Sequence, residues 1–233
     1  MYKIRHCPLS CSVDLKLVLE NMDDFKNIKP ATFEEIINIS HIKEYQKDSI
    51  LYYENDIVDN VHYLFHGLVK VYKINKFDNE VIVNLLHNYC ANESNPPLID
   101  YHTFLSNNSF FNILCLENCK ILSINVESFK EIIKSDPALS LNMLNRANKI
   151  IEEQEYIINI NMIYDTKSKL ASLLNKNYDV FNMLSKKVVS QMLNISQETL
   201  SRSIKKLKDE NIIGFDNNKK IIIVDEQKLR SIL

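Results

Sequence analysis

Glycine is nearly missing. The chain of 233 residues holds two, Gly67 and Gly214, where ordinary usage near ~7% would place roughly 16. Two glycines cannot spell a G-x-G-x-x-G dinucleotide fingerprint or a Walker-type phosphate loop, and they exclude collagen-like and Gly/Ser-linker architectures. Tryptophan is absent, and arginine is scarce, with four residues against 24 lysines. No run approaches the ~18 apolar residues of a membrane helix, and Met1–Val13 lacks the ~7–15-residue apolar core of a secretory signal. The expectation is a soluble, cytoplasmic chain. Its five cysteines, Cys7, Cys11, Cys90, Cys115 and Cys119, are an odd number and read as thiols or metal ligands rather than as a disulfide framework.

With 45% hydrophobic and 25% charged residues, the chain can bury a core and is not a disordered tail. The net charge of −2 conceals a split. Residues 1–164 carry 15 basic and 22 acidic side chains, whereas residues 165–233 carry 13 basic and 8 acidic ones. A basic C-terminal module implies an anionic partner.

Three textures follow one another. From His41 to Ile124 short β-prone runs alternate (Val61–Phe65, Leu68–Ile74, Glu80–Leu86, Phe110–Leu116, Lys120–Ile124), the first two flanking His66-Gly67, which predicts an antiparallel barrel or roll. Ahead of them, Met22–Ile39 has helical pieces broken at Pro30. Barrel turns normally built on glycine fall at Asn79, Asn88 and Asn92, asparagine being the next residue to tolerate a left-handed backbone. After Asp136-Pro137, Ala138–Ile163 runs free of Gly and Pro. Met143, Ile150 and Ile157 form one seven-residue series and Leu144, Ile151 and Ile158 another, so one stripe covers the β domain while the other pairs with a second copy. From Asp165 the pattern is helix, helix, tight turn at Asn194-Ile195, a third helix capped by Ser196, then a hairpin flanking Asp216–Lys220. That order is a winged helix-turn-helix. The predicted fold is α+β: a β-roll over residues 1–135, a dimerisation helix over 136–164 and a winged helix-turn-helix over 165–233.

The stretch Val188–Arg202, continuing through Ile204–Ile213, resembles the recognition helix and wing entry of the Crp/Fnr family of bacterial transcription regulators. Asp59–Leu64 and Gly67–Lys73 resemble that family's central barrel strands. The resemblance implies a homodimer that binds double-stranded DNA and contacts RNA polymerase, with two recognition helices about one DNA turn apart, ~34 Å. The Glu-x-x-Ser-Arg spelling is similar to the Fnr branch, which implies TTGA-like half-sites. On chemistry, Glu198 accepts from the cytosine amine and Arg202 matches guanine O6/N7, where lysine has no planar fork. Ser201 is small enough to approach a base or a phosphate. Ser196, Gln197, Lys205 and Lys186 serve backbone contacts.

Cyclic-nucleotide-binding relatives hold the ribose with a Gly-Glu pair and the cyclic phosphate with an arginine segment. Here Asn92-Glu93 and Ser109-Phe110-Phe111 stand at those places, with no arginine, so a buried cyclic phosphate would lack its partner. The expectation is a sensor that does not answer to cAMP. Cys7, Cys11, Cys115 and Cys119 could ligate an iron–sulfur cluster or a zinc ion, and Cys7-Pro8 beside His6 leaves haem open. No catalytic constellation is visible, so no enzyme is expected. The alternative is a cyclic-nucleotide-like module that acts through protein partners.

Overall fold

The computed structural model describes residues 14–89, 94–104 and 106–233, which place Cys7, Cys11, Cys90, Asn92 and Glu93 outside the described residues. Two compact units divide the chain, residues 1–149 and 150–233. No helix among the described residues is long and apolar enough to cross a membrane.

The first unit opens with α1 (Leu15–Asn21), a single 3-10 turn at Asp23–Phe25 and α2 (Pro30–Asn38). Pro30 starts a helix rather than breaking one, because its missing N–H and fixed φ suit the first helical position. A curled antiparallel sheet follows: β1 (Ser40–Tyr45), β2 (Ile50–Tyr52), β3 (Asn60–Ile74), β4 (Glu80–Asn88), β5 (Asn112–Cys115) and β6 (Cys119–Asn125). The strand order is β1-β6-β3-β5-β2, with β4 also on β3. The expected β-roll is therefore present. Its core is Tyr63, Leu64, Ile113, Ile121, Leu122 and Ile124, all buried.

The central strand departs from the sequence expectation. The two runs flanking His66-Gly67 are one strand of 15 residues. Its first half pairs with β6, from Asn60↔Asn125 to His66↔Lys120, and its second half pairs with β4 and β5. Gly67 sits where the strand changes partners, at φ +106, and a Cβ there would lie 2.7 Å from Cys119 Sγ and 2.8 Å from the Asn118 carbonyl. Only a residue without a side chain fits both the backbone angle and the space.

The turns also differ from expectation. Asn88 is in a strand and Asn79 is not left-handed. The left-handed residues are Asn27, Asp48, Asn55, Asp78, Asn194, Asn211 and Lys219. At the β3–β4 hairpin, Asp78 takes the strained position and Asn75 Oδ1 accepts from the Phe77 and Asn79 amides, so side-chain bonding within the loop selects the neighbour.

Two polar knots close this unit. Asp136, buried ahead of α4 (Pro137–Ile163), accepts from Lys29 N at 3.0 Å, Thr32 Oγ1 at 2.8 Å and Ala138 N at 3.0 Å. The Lys29 amide first, then the Thr32 hydroxyl, hold its carboxyl down to about 2. Arg146 Nε donates to both oxygens of Asp24 at 3.0 Å in a buried pair joining α4 to the 3-10 turn. Between α4 and β6 lies α3 (Val126–Ser135), capped by Asn125.

The second unit holds the remainder of α4, then α5 (Thr166–Lys176), α6 (Tyr178–Met183), α7 (Lys186–Met192), α8 (Gln197–Asp209), the hairpin β7 (Ile213–Phe215) and β8 (Ile221–Ile223), and α9 (Glu226–Arg230). Its core gathers Leu170, Leu174, Val189, Leu200, Leu207 and Leu229. The short helices α6 and α9 add to the sequence reading.

Gly67→Ala should lower the stability of the roll by about 2 kcal/mol or more, from the φ and the blocked Cβ together, read as a fall in the urea midpoint. A second expectation concerns His62, buried on β3 with its Nδ1 lacking a hydrogen-bond partner among the described residues. Burial, and then His41, lower its pKa from 6.5 to about 4. The unfolded chain therefore takes up this proton first. The stability contributed by the neutral ring is complete above about 6.5 and is lost as pH falls toward 4, by about 3 kcal/mol in full. Urea midpoints between about pH 7 and pH 5 should fall less steeply for His62→Phe than for the unaltered chain; equal slopes would assign the acid sensitivity elsewhere.

Candidate nucleic-acid interface

The site rests on how α8 is rotated. Leu200, Ile204 and Leu207 are buried against the core, at the spacing of one helical face. The opposite face then carries Gln197, Glu198, Ser201, Arg202 and Lys205, all exposed. The apolar stripe thus fixes which side chains look outward.

Both ends of the motif are set locally. Ser185 caps α7, its Oγ accepting from Val188 N at 3.3 Å, and Lys186 begins that helix with an exposed side chain. Asn194 (φ 52) makes the tight turn, with Ile195 N donating to Ser190 O at 3.0 Å. Ser196 then caps α8: its Oγ accepts from Thr199 N at 3.0 Å and meets Thr199 Oγ1 at 2.8 Å. At the far end Asn211 (φ 56) stops the helix, and Ile212 N returns to Leu207 O at 3.0 Å.

Glu198 and Arg202, one turn apart, form an ion pair with side chains 73% and 78% exposed. A pair so open to water contributes little to stability, so both heads can leave each other for a ligand at small cost. Lys205 makes no salt bridge among the described residues. The wing brings two cations the sequence reading did not single out, Lys219 and Lys220, exposed in the β7–β8 turn. Their adjacency in a hairpin loop was the available signal.

Residues 166–232 match the Crp-like helix-turn-helix domain, and residues 42–136 match the cyclic nucleotide-binding domain. The chain belongs to the Crp/Fnr family. It is 20% identical over 190 residues to the global nitrogen regulator of Nostoc sp. (strain PCC 7120), covering 81% of this chain and 83% of that protein. Among solved structures it is similar to FixK2 from Bradyrhizobium japonicum, at 16% identity and a TM-score of 0.67 over 83% of this chain and 97% of that one. A transcriptional regulator assigned to the crp/fnr family from Eubacterium rectale ATCC 33656 shares 14% identity at a TM-score of 0.70, covering 91% of this chain and 98% of that one. As a member of the Crp/Fnr family the chain is a DNA-binding transcription regulator.

The first unit of this Crp/Fnr protein shows two chemical features. Around Ser109-Phe110-Phe111, the buried Asp100 carboxylate accepts from Phe110 N at 3.1 Å, His102 N at 3.0 Å and Ser109 Oγ at 3.3 Å. The Phe110 amide is thus engaged by an anion of the chain itself, while Ser109 Oγ lies nearer Phe111 O, at 2.6 Å, and accepts from Phe111 N at 3.2 Å. Of the four candidate ligand cysteines, Cys7 and Cys11 lie outside the described residues. Cys115 and Cys119 are both buried, one at each end of the turn between β5 and β6. Cys119 Sγ donates toward Glu117 O at 3.3 Å and Leu68 O at 3.5 Å. Hydrogen bonding to Cys119, and then burial, push the Cys115 thiol up. Among the described residues no group of three or more His, Cys, Asp or Glu side chains could hold a metal ion.

Ser196→Ala should cost the second unit about 1 kcal/mol through the lost cap, measured as a drop in thermal midpoint, while Ser196→Asp should recover most of it.

Proposed function

We propose that this chain acts as a homodimer that reads a TTGA-like palindrome, with Glu198, Ser201 and Arg202 on base edges and Ser196, Gln197, Lys205 and Lys186 on the backbone. The observation that carries this reading is the outward row on α8, held in place by the buried Leu200–Ile204–Leu207 stripe. A helix presented in this way enters the major groove by its first turns. Arg202 supplies a bidentate donor pair for guanine, and Glu198 an acceptor for cytosine. Ser196 acts through geometry as well, since its hydroxyl orients the helix start.

The dimer reading is supported by Leu144, Ile151 and Ile158, seven residues apart and 57%, 55% and 52% exposed in the single chain. Such a row is apolar surface that a second copy of α4 would bury. RNA polymerase as a further partner, and the cytoplasm as the site of action, follow from the family role of a transcription regulator.

The effector is read as redox- or gas-linked rather than cAMP. Asp100 supports the negative half: its buried carboxylate already takes the Phe110 amide, and Ser109-Phe110-Phe111 offers no arginine to pair with a cyclic phosphate. The thiol pair Cys115–Cys119 supports the positive half. With two of four ligands among the described residues, no step is assigned to a haem or a cluster.

Arg202→Ala should lose preference for guanine at one half-site position, at a cost of about 1–3 kcal/mol. Lys205→Ala should instead weaken binding on all sequences and flatten the salt dependence. Fluorescence anisotropy on TTGA-type and scrambled duplexes separates them. Equal loss on both duplexes for Arg202→Ala would remove its base-reading role. No specific binding by the unaltered protein under any redox condition would favour a module acting through protein partners.

A further inference from the structure

Between α8 and the wing lies a cleft of about 340 Å³, within the size range of small-molecule sites, ~300–1,000 Å³. Its apolar lining comes from Phe181, Leu184, Val189, Leu200, Ile204 and Phe215, and its cationic rim from Lys186, Lys219 and Lys220. No carboxylate lines it. The three ammonium groups make no salt bridge among the described residues, and all three lysines are exposed.

The back of the cleft is built and already satisfied. Asn182 Oδ1 accepts from Ile221 N at 2.9 Å and its Nδ2 donates to Ile221 O at 3.0 Å, while Tyr178 Oη donates to the same carbonyl at 2.7 Å. These bonds fix the wing to α6, and the polar side chains left at the rim are Asn218 and the three lysines. Lys219 carries a second oddity. It is left-handed at φ 60, among the described residues the one such non-glycine residue that is neither Asn nor Asp. A long cationic side chain is thus kept at a backbone angle that disfavours it.

We propose that this cleft binds a small amphipathic anion, an apolar body ending in one carboxylate. Charge complementarity selects the anion, because three lysines and no carboxylate of the described residues line the cleft, the nearby Asp216 carboxylate being taken up by the Asn218 and Lys220 amides. The apolar floor selects the body: a DNA phosphate would engage the lysines and leave Phe215, 43% exposed, uncovered. Ligand and DNA would share Lys186, so an occupied cleft should weaken DNA binding. That consequence alone rests on the DNA-reading role proposed above; the binding itself does not.

The test uses the full chain and a dansyl-tagged fatty carboxylate, whose emission rises on entering an apolar site. Saturable binding without DNA is expected, reversed by decanoate about tenfold more effectively than by decanol, the equivalent of one charge-assisted contact. The double variant Lys219→Gln/Lys220→Gln, at exposed positions, should weaken the probe about tenfold or more, and Leu184→Trp should fill the cleft and exclude it. Circular dichroism confirms that both variants are folded. No saturable signal, equal competition by decanol, or binding that survives both variants would overturn the proposal. Loss of DNA affinity in the lysine variant with no probe binding by the unaltered chain would make the cleft a seat for backbone phosphate instead. Failure of DNA binding with normal probe binding would count against the DNA reading and leave the cleft assigned.

Discussion

The first unit depends on one close approach, that of the β3 backbone at Gly67 to the turn that carries Asn118 and Cys119. The first half of a 15-residue strand pairs with β6 and its second half with β4 and β5 together, and the change of partners at Gly67 needs a backbone angle and a clearance that no side chain allows. Around that point the roll's core forms without glycine anywhere else. The two glycines of the chain are therefore not residues left over from a general shortage. One of them is the position at which the sheet curls.

The second unit solves a different problem, which is to hold a charged surface at a fixed rotation. Its device is the apolar stripe of α8 together with side-chain caps at the starts of α7 and α8, Ser185 and Ser196. The exposed groups then need no mutual bonds to stay in place. Glu198 and Arg202 hold each other weakly in water, and Lys205 and the wing lysines make no salt bridge among the described residues. A surface of this kind is ready for an anionic partner at little desolvation cost, since its charges are already in solvent.

Much of this was legible along the chain because it is local. The caps, the turn at Asn194-Ile195, the breaker-free run of α8 and the seven-residue rows of α4 are each written within a few residues, and the helix-turn-helix follows from them. What escaped is non-local. Gly67 reads as a break between two strands until one knows that β6 pairs on one side of it and β4 on the other. The shell around Asp100 joins residues whose roles are set by loop closure, and nothing in their order announces it. The choice of Asp78 over Asn79 at the hairpin depends on which amides Asn75 can reach. The wing lysines were written plainly, and only their position beside a cleft gives them weight.

The left-handed turns carry a consequence beyond geometry. A glycine at such a site is unstrained when folded but has the largest conformational freedom to lose from the unfolded chain. Asn and Asp at Asn27, Asp48, Asn55, Asp78, Asn194 and Asn211 exchange some folded-state strain for a narrower unfolded ensemble. The turns of this protein are thus stabilised partly from the unfolded side, where no contact in the folded structure can show it.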